Sequence, residues 1–193
     1  MMDRPFPAGV QATETAERAL LALVSTSDRC AMEQLYIRYF ARLATFFRNM
    51  TVHANLVAEL INDTMLEVWK AGESIAPNVP VSLAIMRLAY SRVHKFFAEA
   101  RADEPRSQRD VQDRELSTSL VGTASPSDLQ IFLSKLSVEE RAVMHLVYAS
   151  GCSRRETAEV MEVACDCVDE LLADVRASSQ AALVVTSAQT TPR

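Results

Sequence analysis

The sequence predicts an all-α protein made of two small helical units joined by a linker. Apolar residues recur at three- and four-residue steps over most of the 193 residues instead of alternating. Only 4 Gly and 7 Pro occur, too few for the turns of a β-sandwich or barrel. A stretch with no helical or strand period, 102–127, separates an aromatic-rich first half from a shorter second block.

The composition, 49% hydrophobic and 23% charged, is that of a globular chain and not of a disordered or fibrous one. No apolar run reaches the 18 residues needed to cross a bilayer, so no membrane insertion is expected. The opening MMDRPFPAGV lacks the apolar stretch of a secretory leader. With four cysteines at no framework spacing, a cytoplasmic, reducing setting is expected. The net charge of −5 argues against attraction of the whole molecule to nucleic acid or to an anionic membrane.

Residues 1–27 read as an N-terminal extension in which Glu17 to Val24 is amphipathic enough for a short helix. Asp28 is a helix cap for the run Met32, Leu35, Tyr36, Tyr39, Phe40, Leu43, Phe46 and Phe47. A second helix is predicted from about Ala54 to Ala71, with Leu56, Val57, Leu60, Ile61, Val68 and Trp69 on one side. Gly72, Pro77 and Pro80 make 72–82 a loop. A third helix is expected from Ser82 to about Ala100, carrying Val93, Phe96 and Phe97. Nine of the 12 aromatic residues lie between Tyr36 and Phe97, enough for a helical core over 28–101. The linker 102–127 is rich in Ser, Asp and Arg and is expected to be a flexible coil.

In the block 128–179, Ser137 and Glu140 have the spacing of a capping box, and the helix they start ends at Gly151. Ser153 and Glu156 repeat the box, with Ala158, Val160 and Met161 facing inward. After a break at 162–165 a helix is predicted from Asp166 to about Arg176, carrying Val168, Leu171, Leu172 and Val175. Short helices joined by tight turns in this way suit a helix-turn-helix, and a generic three-helix bundle fits the pattern too. The tail, 180–193, decides nothing.

Two stretches in this order resemble the extracytoplasmic-function (ECF) class of sigma-70-type sigma factors. LSVEERAVMHLVYASGCSRRETAEVM (136–161) is similar to region 4, through Leu136, Arg141, Val143, Leu146, Gly151, Ser153, Glu156, Ala158 and Glu159. VAELINDTMLEVWK (57–70) is similar to region 2, through Leu60, Leu66, Val68 and Trp69. The resemblance implies a region 2-like bundle and a region 4-like helix-turn-helix, joined by the flexible linker. It also implies a function in recognition: binding core RNA polymerase, directing transcription initiation at promoter DNA, and being held by an anti-sigma factor. No catalytic constellation is apparent and no cofactor or metal is expected; His53, His94 and His145 lie on separate segments.

For the polymerase-facing surface the resemblance points to Glu59, Asn62, Asp63 and Glu67, which recur on one polar helix face. For DNA contact through region 2 it points to Arg87, Tyr90, Ser91, Arg92 and Lys95. For region 4 it points to Ser153, Arg154, Arg155, Asp166, Asp169, Glu170 and Arg176. The DNA-facing positions depart from the family. Ala84 stands where an aromatic is usual, and Tyr90-Ser91 where an Arg-Asn pair is usual. The expected recognition helix carries Asp166, Asp169, Glu170 and Asp174 where the family has Lys and Arg. Residues 126–193 hold 6 basic and 10 acidic residues, which places −4 of the net −5 there. Each lost phosphate contact removes roughly 0.9 from the salt slope of DNA binding. Two functions therefore compete: a divergent sigma factor, or a sigma-like decoy that has lost DNA binding and titrates an anti-sigma factor or core polymerase.

Cys165 and Cys167 point about 200° apart on a helix and lack a second metal-ligand pair, so the cysteines are expected to be small buried hydrophobes. Trp69, Phe96 and Phe97 are read as core.

Overall fold

In the computed structural model, residues 8–51, 54–102 and 135–188 are described, and every regular element among them is helical. The predicted linker, apart from Ala102, lies outside the described residues.

The first unit starts earlier than the periodicity suggests. Helix α1 spans Ala8–Ser25, and its Leu21 and Val24 are buried in the core at 1% and 2% exposure. Polar ties hold it there. Arg18 donates to the carbonyls of Ala76 (2.7 Å) and Val79 (2.6 Å), and Glu14 accepts from the backbone N–H of Val81. The buried carboxylate of Glu17 is satisfied by the Tyr39 hydroxyl at 2.7 Å and faces Arg38 at 3.5 Å. Burial and that bond hold the Tyr39 phenol well above its usual pKa.

Asp28 caps α2 (Arg29–Met50) as predicted, its carboxylate accepting from the N–H groups of Cys30 and Ala31. The α2 stripe is buried at Leu35, Tyr39, Leu43, Phe46 and Phe47, but Phe40 stays 45% exposed, stacked on Tyr36. Helix α3 spans Ala54–Ala71. A 3-10 turn (Gly72–Ile75) and an irregular stretch lead into α4 (Val81–Ala102). Trp69, Phe96 and Phe97 pack half-buried against this core.

In the second unit both capping boxes form. Ser137 and Glu140 exchange bonds of 3.1 and 2.7 Å at the start of α5 (Val138–Met144). Ser153 and Glu156 do the same, at 3.2 and 2.7 Å, for α6 (Arg154–Met161). The last turn after α5 widens to a π turn (His145–Ala149) and stops at Gly151, whose φ of +69° is the left-handed ending expected of glycine. Helix α7 (Cys165–Ala188) runs about three turns past the predicted end at Arg176. Val143, Leu146, Val160, Val168 and Leu172 close the core between α5, α6 and α7.

The cysteine expectation is corrected. Cys152 is buried, but Cys30, Cys165 and Cys167 are exposed, because they occupy first-turn positions on the solvent side of α2 and α7.

Gly72 and Gly151 both adopt positive φ, +52° and +69°, and their surroundings differ. A Cβ on Gly72 would meet Ser25 Oγ at 2.4 Å and Ser25 Cα at 3.1 Å, whereas one on Gly151 would meet nothing within 4 Å. Gly151→Ala is expected to cost about 1 kcal/mol, the left-handed backbone penalty alone. Gly72→Ala should cost more, because Ser25 Oγ also accepts from the Glu73 N–H and would be displaced. Urea denaturation of the two variants measures the difference.

Candidate functional site

The polar face of α3 is solvent-facing at Glu59 and Asn62 and half-buried at Asp63 and Glu67. Leu66, 48% exposed, stands among them. Tyr36 of α2 donates to Asn62 Oδ1 at 3.0 Å, which joins the exposed Phe40 and its stacked Tyr36 to the same face. The surface is thus acidic at its edge and apolar toward α2. The apolar part was missed in the sequence because Tyr36 and Phe40 continue the core period of α2.

The candidates on α4 do not act together. Arg92 bonds Asp63 through Nε at 3.1 Å and through Nη2, and it faces Glu67 at 3.9 Å. The bond to Asp63 raises its pKa further. A candidate DNA contact is therefore paired with two candidate polymerase contacts. Ser91 and Lys95 are exposed. Arg87 and Tyr90 turn the other way, toward the second unit: Arg87 Nε lies 3.9 Å from Glu162, and Tyr90 is 8% exposed. Burial, with the Glu139 carboxylate nearby, pushes the Tyr90 phenol up to about 12.

In the second unit Ser153 is occupied in capping α6. Arg154 of α6 is ion-paired with Asp169 of α7, so a candidate phosphate contact is held by one of the acids beside it. Arg155, Asp166, Glu170 and Arg176 are exposed, as is Asp174.

The seam between the units was not anticipated. Helix α2 packs on α5, and α4 packs along α6. Asn49 Nδ2 lies 2.7 Å from Nδ1 of His145, which must accept, leaving the ring proton on Nε2. The imidazole is 5% exposed and sits edge-on against Phe46 at 5.3 Å between centroids. Burial, helped by the charge of Arg42, pulls its pKa down to about 4. Arg141 Nη1 donates across the seam to the Met50 carbonyl at 3.0 Å. Arg42 reaches the Cys152 thiol, which burial pushes up in pKa against the pull of that cation.

A cleft of about 810 Å³ opens beside the seam between α1, α2 and residues 78–83, with Glu156 of α6 on its wall. Arg18, Arg38 and Arg42 there face Glu14, Glu17 and Glu156, so its charges offset one another. Among the described residues no three His, Cys, Asp or Glu side chains converge as metal ligands, and no helix is long and apolar enough to cross a membrane.

Two helical units of this build, in this order, have counterparts among solved proteins. The structure of CnrH in complex with the cytosolic domain of CnrY superposes with a TM-score of 0.64 at 23% identity, covering 88% of this chain and 98% of that one. This is the fold of a sigma factor. The sigma factor RpoE from Bartonella quintana, in complex with the anti-sigma factor NepR, gives 0.58 at 20% identity, covering 79% and 96%. In sequence the chain is 22% identical over 182 residues to RNA polymerase sigma factor CnrH of Cupriavidus metallidurans, covering 88% of this chain and 95% of that protein. No family model matches the chain. The similarity to sigma factors therefore takes in most of the chain.

The seam sets a pH dependence. The folded pKa of His145 lies below its unfolded value, so the unfolded chain binds the proton first as pH falls. The stability contributed by the neutral ring is fully present above about pH 6.5 and is lost progressively toward pH 4. Urea midpoints are expected to fall across that window in the wild type and to fall less steeply in His145→Gln.

Proposed function

We propose that the chain is an ECF-type sigma factor that binds core RNA polymerase, directs promoter-specific initiation and is held in check by an anti-sigma factor. The observation that carries this reading is the end-to-end match: both units correspond, in order, to sigma factors over nearly their whole length. The exposed α3 face, with Glu59 and Asn62 beside Leu66 and Phe40, suits a partner surface that is basic with apolar contacts, the role this reading gives to core polymerase. Asp63 and Glu67 belong to the same face and are shared with Arg92. On α4, Ser91 and Lys95 are open to a melted strand, with Arg87, Tyr90 and Arg92 engaged within the chain. An anti-sigma partner is supported by the solved complexes of CnrH and RpoE, each with a bound partner.

The exposed acids of α7 favour a second reading, a sigma-like decoy. Asp166, Asp169, Glu170 and Asp174 would repel the phosphates flanking a major groove, and Arg154 is already paired with Asp169.

Core-dependent promoter selection separates the two. Protein and core polymerase are mixed with a randomised DNA library and the heparin-resistant complexes are sequenced against a core-only control. A sigma factor enriches two spaced boxes; a decoy enriches none, either binding core without selecting DNA or, where it titrates an anti-sigma factor, not binding core at all. If the α7 face approaches DNA, Asp169→Lys with Glu170→Arg should raise non-specific affinity and steepen the log-log salt dependence by up to about 0.9 for each new phosphate contact. An unchanged salt slope, read by fluorescence anisotropy, would show that this face stays away from phosphates.

A further inference from the structure

Arg92 of α4 is held by carboxylates of α3. Its Nε donates to Asp63 Oδ2 at 3.1 Å, its Nη2 donates to the same oxygen, and its Nη1 lies 3.9 Å from Glu67 Oε1. The Glu99 carboxylate adds to the negative field around it. A phosphate approaching Arg92 would come under the charge of three carboxylates, and the guanidinium would have to give up bonds already made.

The same contacts order the face of α3. Asp63 and Glu67 stand four residues apart on one side of the helix, where like charges repel. Arg92 reaches both and offsets that repulsion. Both of its bonds to Asp63 fall on Oδ2, so Oδ1 is not used by Arg92. At the other edge of the face, Tyr36 of α2 donates to Asn62 Oδ1 at 3.0 Å. The polar side chains of α3 are thus fastened from both neighbouring helices, and each fastened side chain is one fewer to be ordered when a partner binds. The pairs at Arg92 are partly exposed and add little to stability, so their loss should show in docking more than in folding.

We infer that Arg92 is a positioning residue of the α3 docking face and not a DNA contact: it holds Asp63 and Glu67 in the arrangement that receives basic groups of core polymerase. The inference rests on the sigma-factor reading of that face. It moves one basic residue of α4 from the DNA side of the molecule to the polymerase side.

The test titrates labelled full-length chain with core polymerase near physiological salt and compares Arg92→Ala with the wild type. Arg48→Ala, at an exposed position of α2, removes the same charge elsewhere. Arg92→Lys keeps the charge but cannot fork between two carboxylates. Far-UV circular dichroism and urea midpoints check folding, and Arg92→Lys carries the test if Arg92→Ala does not fold.

Arg92→Ala is expected to bind core about fivefold more weakly or worse, because two acidic side chains must then be ordered on docking. Arg92→Lys should fall between it and the wild type, and Arg48→Ala should stay within about twofold. In a chain already carrying Asp63→Asn with Glu67→Gln, Arg92→Ala should change core affinity by less than about twofold, since no carboxylate is left to position. At saturating core, with a core-only control, Arg92→Ala should leave the log-log salt slope for a labelled single-stranded oligonucleotide unchanged, whereas losing a phosphate contact would remove about 0.7. Core affinity that is unchanged or tighter, a control that weakens as much, an effect that persists in the neutralised background, or a shallower salt slope would each overturn the inference. A wild-type chain that does not bind core would remove the sigma-factor reading together with the inference. A wild type that binds beside an Arg92→Ala that binds equally well removes the inference alone.

Discussion

The contact between α2 and α5 joins the two helical units, and its chemistry is selective. A buried imidazole is tolerated there only while neutral, since the Asn49 amide occupies the nitrogen that would carry a second proton. Around it, the Met50 carbonyl and the Cys152 thiol are each met by an arginine from the opposite unit. Removing one partner would leave the other desolvated, which costs more than the bond itself contributes. A seam built this way favours one arrangement of the units and penalises loosened versions of it. The burial of Tyr90 on α4 belongs to the same arrangement.

Much of the fold was legible because local signals agreed with one another. The Asp28 cap and the two Ser/Glu boxes each fix a helix start within a few residues, and Gly151 fixes an end. Helix α1 was only half visible, since the residues before Glu17 are mostly Ala and Thr and carry no apolar stripe; its place is set by Arg18 and Glu14 reaching groups about 60 residues away. The Cys30, Cys165 and Cys167 positions were misread from residue preference, which says nothing about which side of a first turn faces solvent.

The candidate site was legible as a set of residues but not as a set of pairings. Periodicity places Glu59, Asn62, Asp63 and Glu67 on one face, and that face exists. It does not reveal that Arg92 bridges to Asp63 and Glu67, that Arg154 is taken by Asp169, or that Tyr90 is covered by the other unit. These are contacts between helices distant in sequence, and side-chain spacing along one helix carries no information about them.

The polar ties of α1 have a consequence for how the molecule is made. This helix leaves the ribosome well before its partners, since the carbonyls of Ala76 and Val79 and the N–H of Val81 that hold it are synthesised about 60 residues later. Until then α1 has only part of its packing, and its Arg18 and Glu14 have only each other. The first bundle therefore closes as a late, long-range event in translation, when the start of α4 emerges. Any pause in synthesis before residue 81 holds the nascent chain with Leu21 and Val24 incompletely covered.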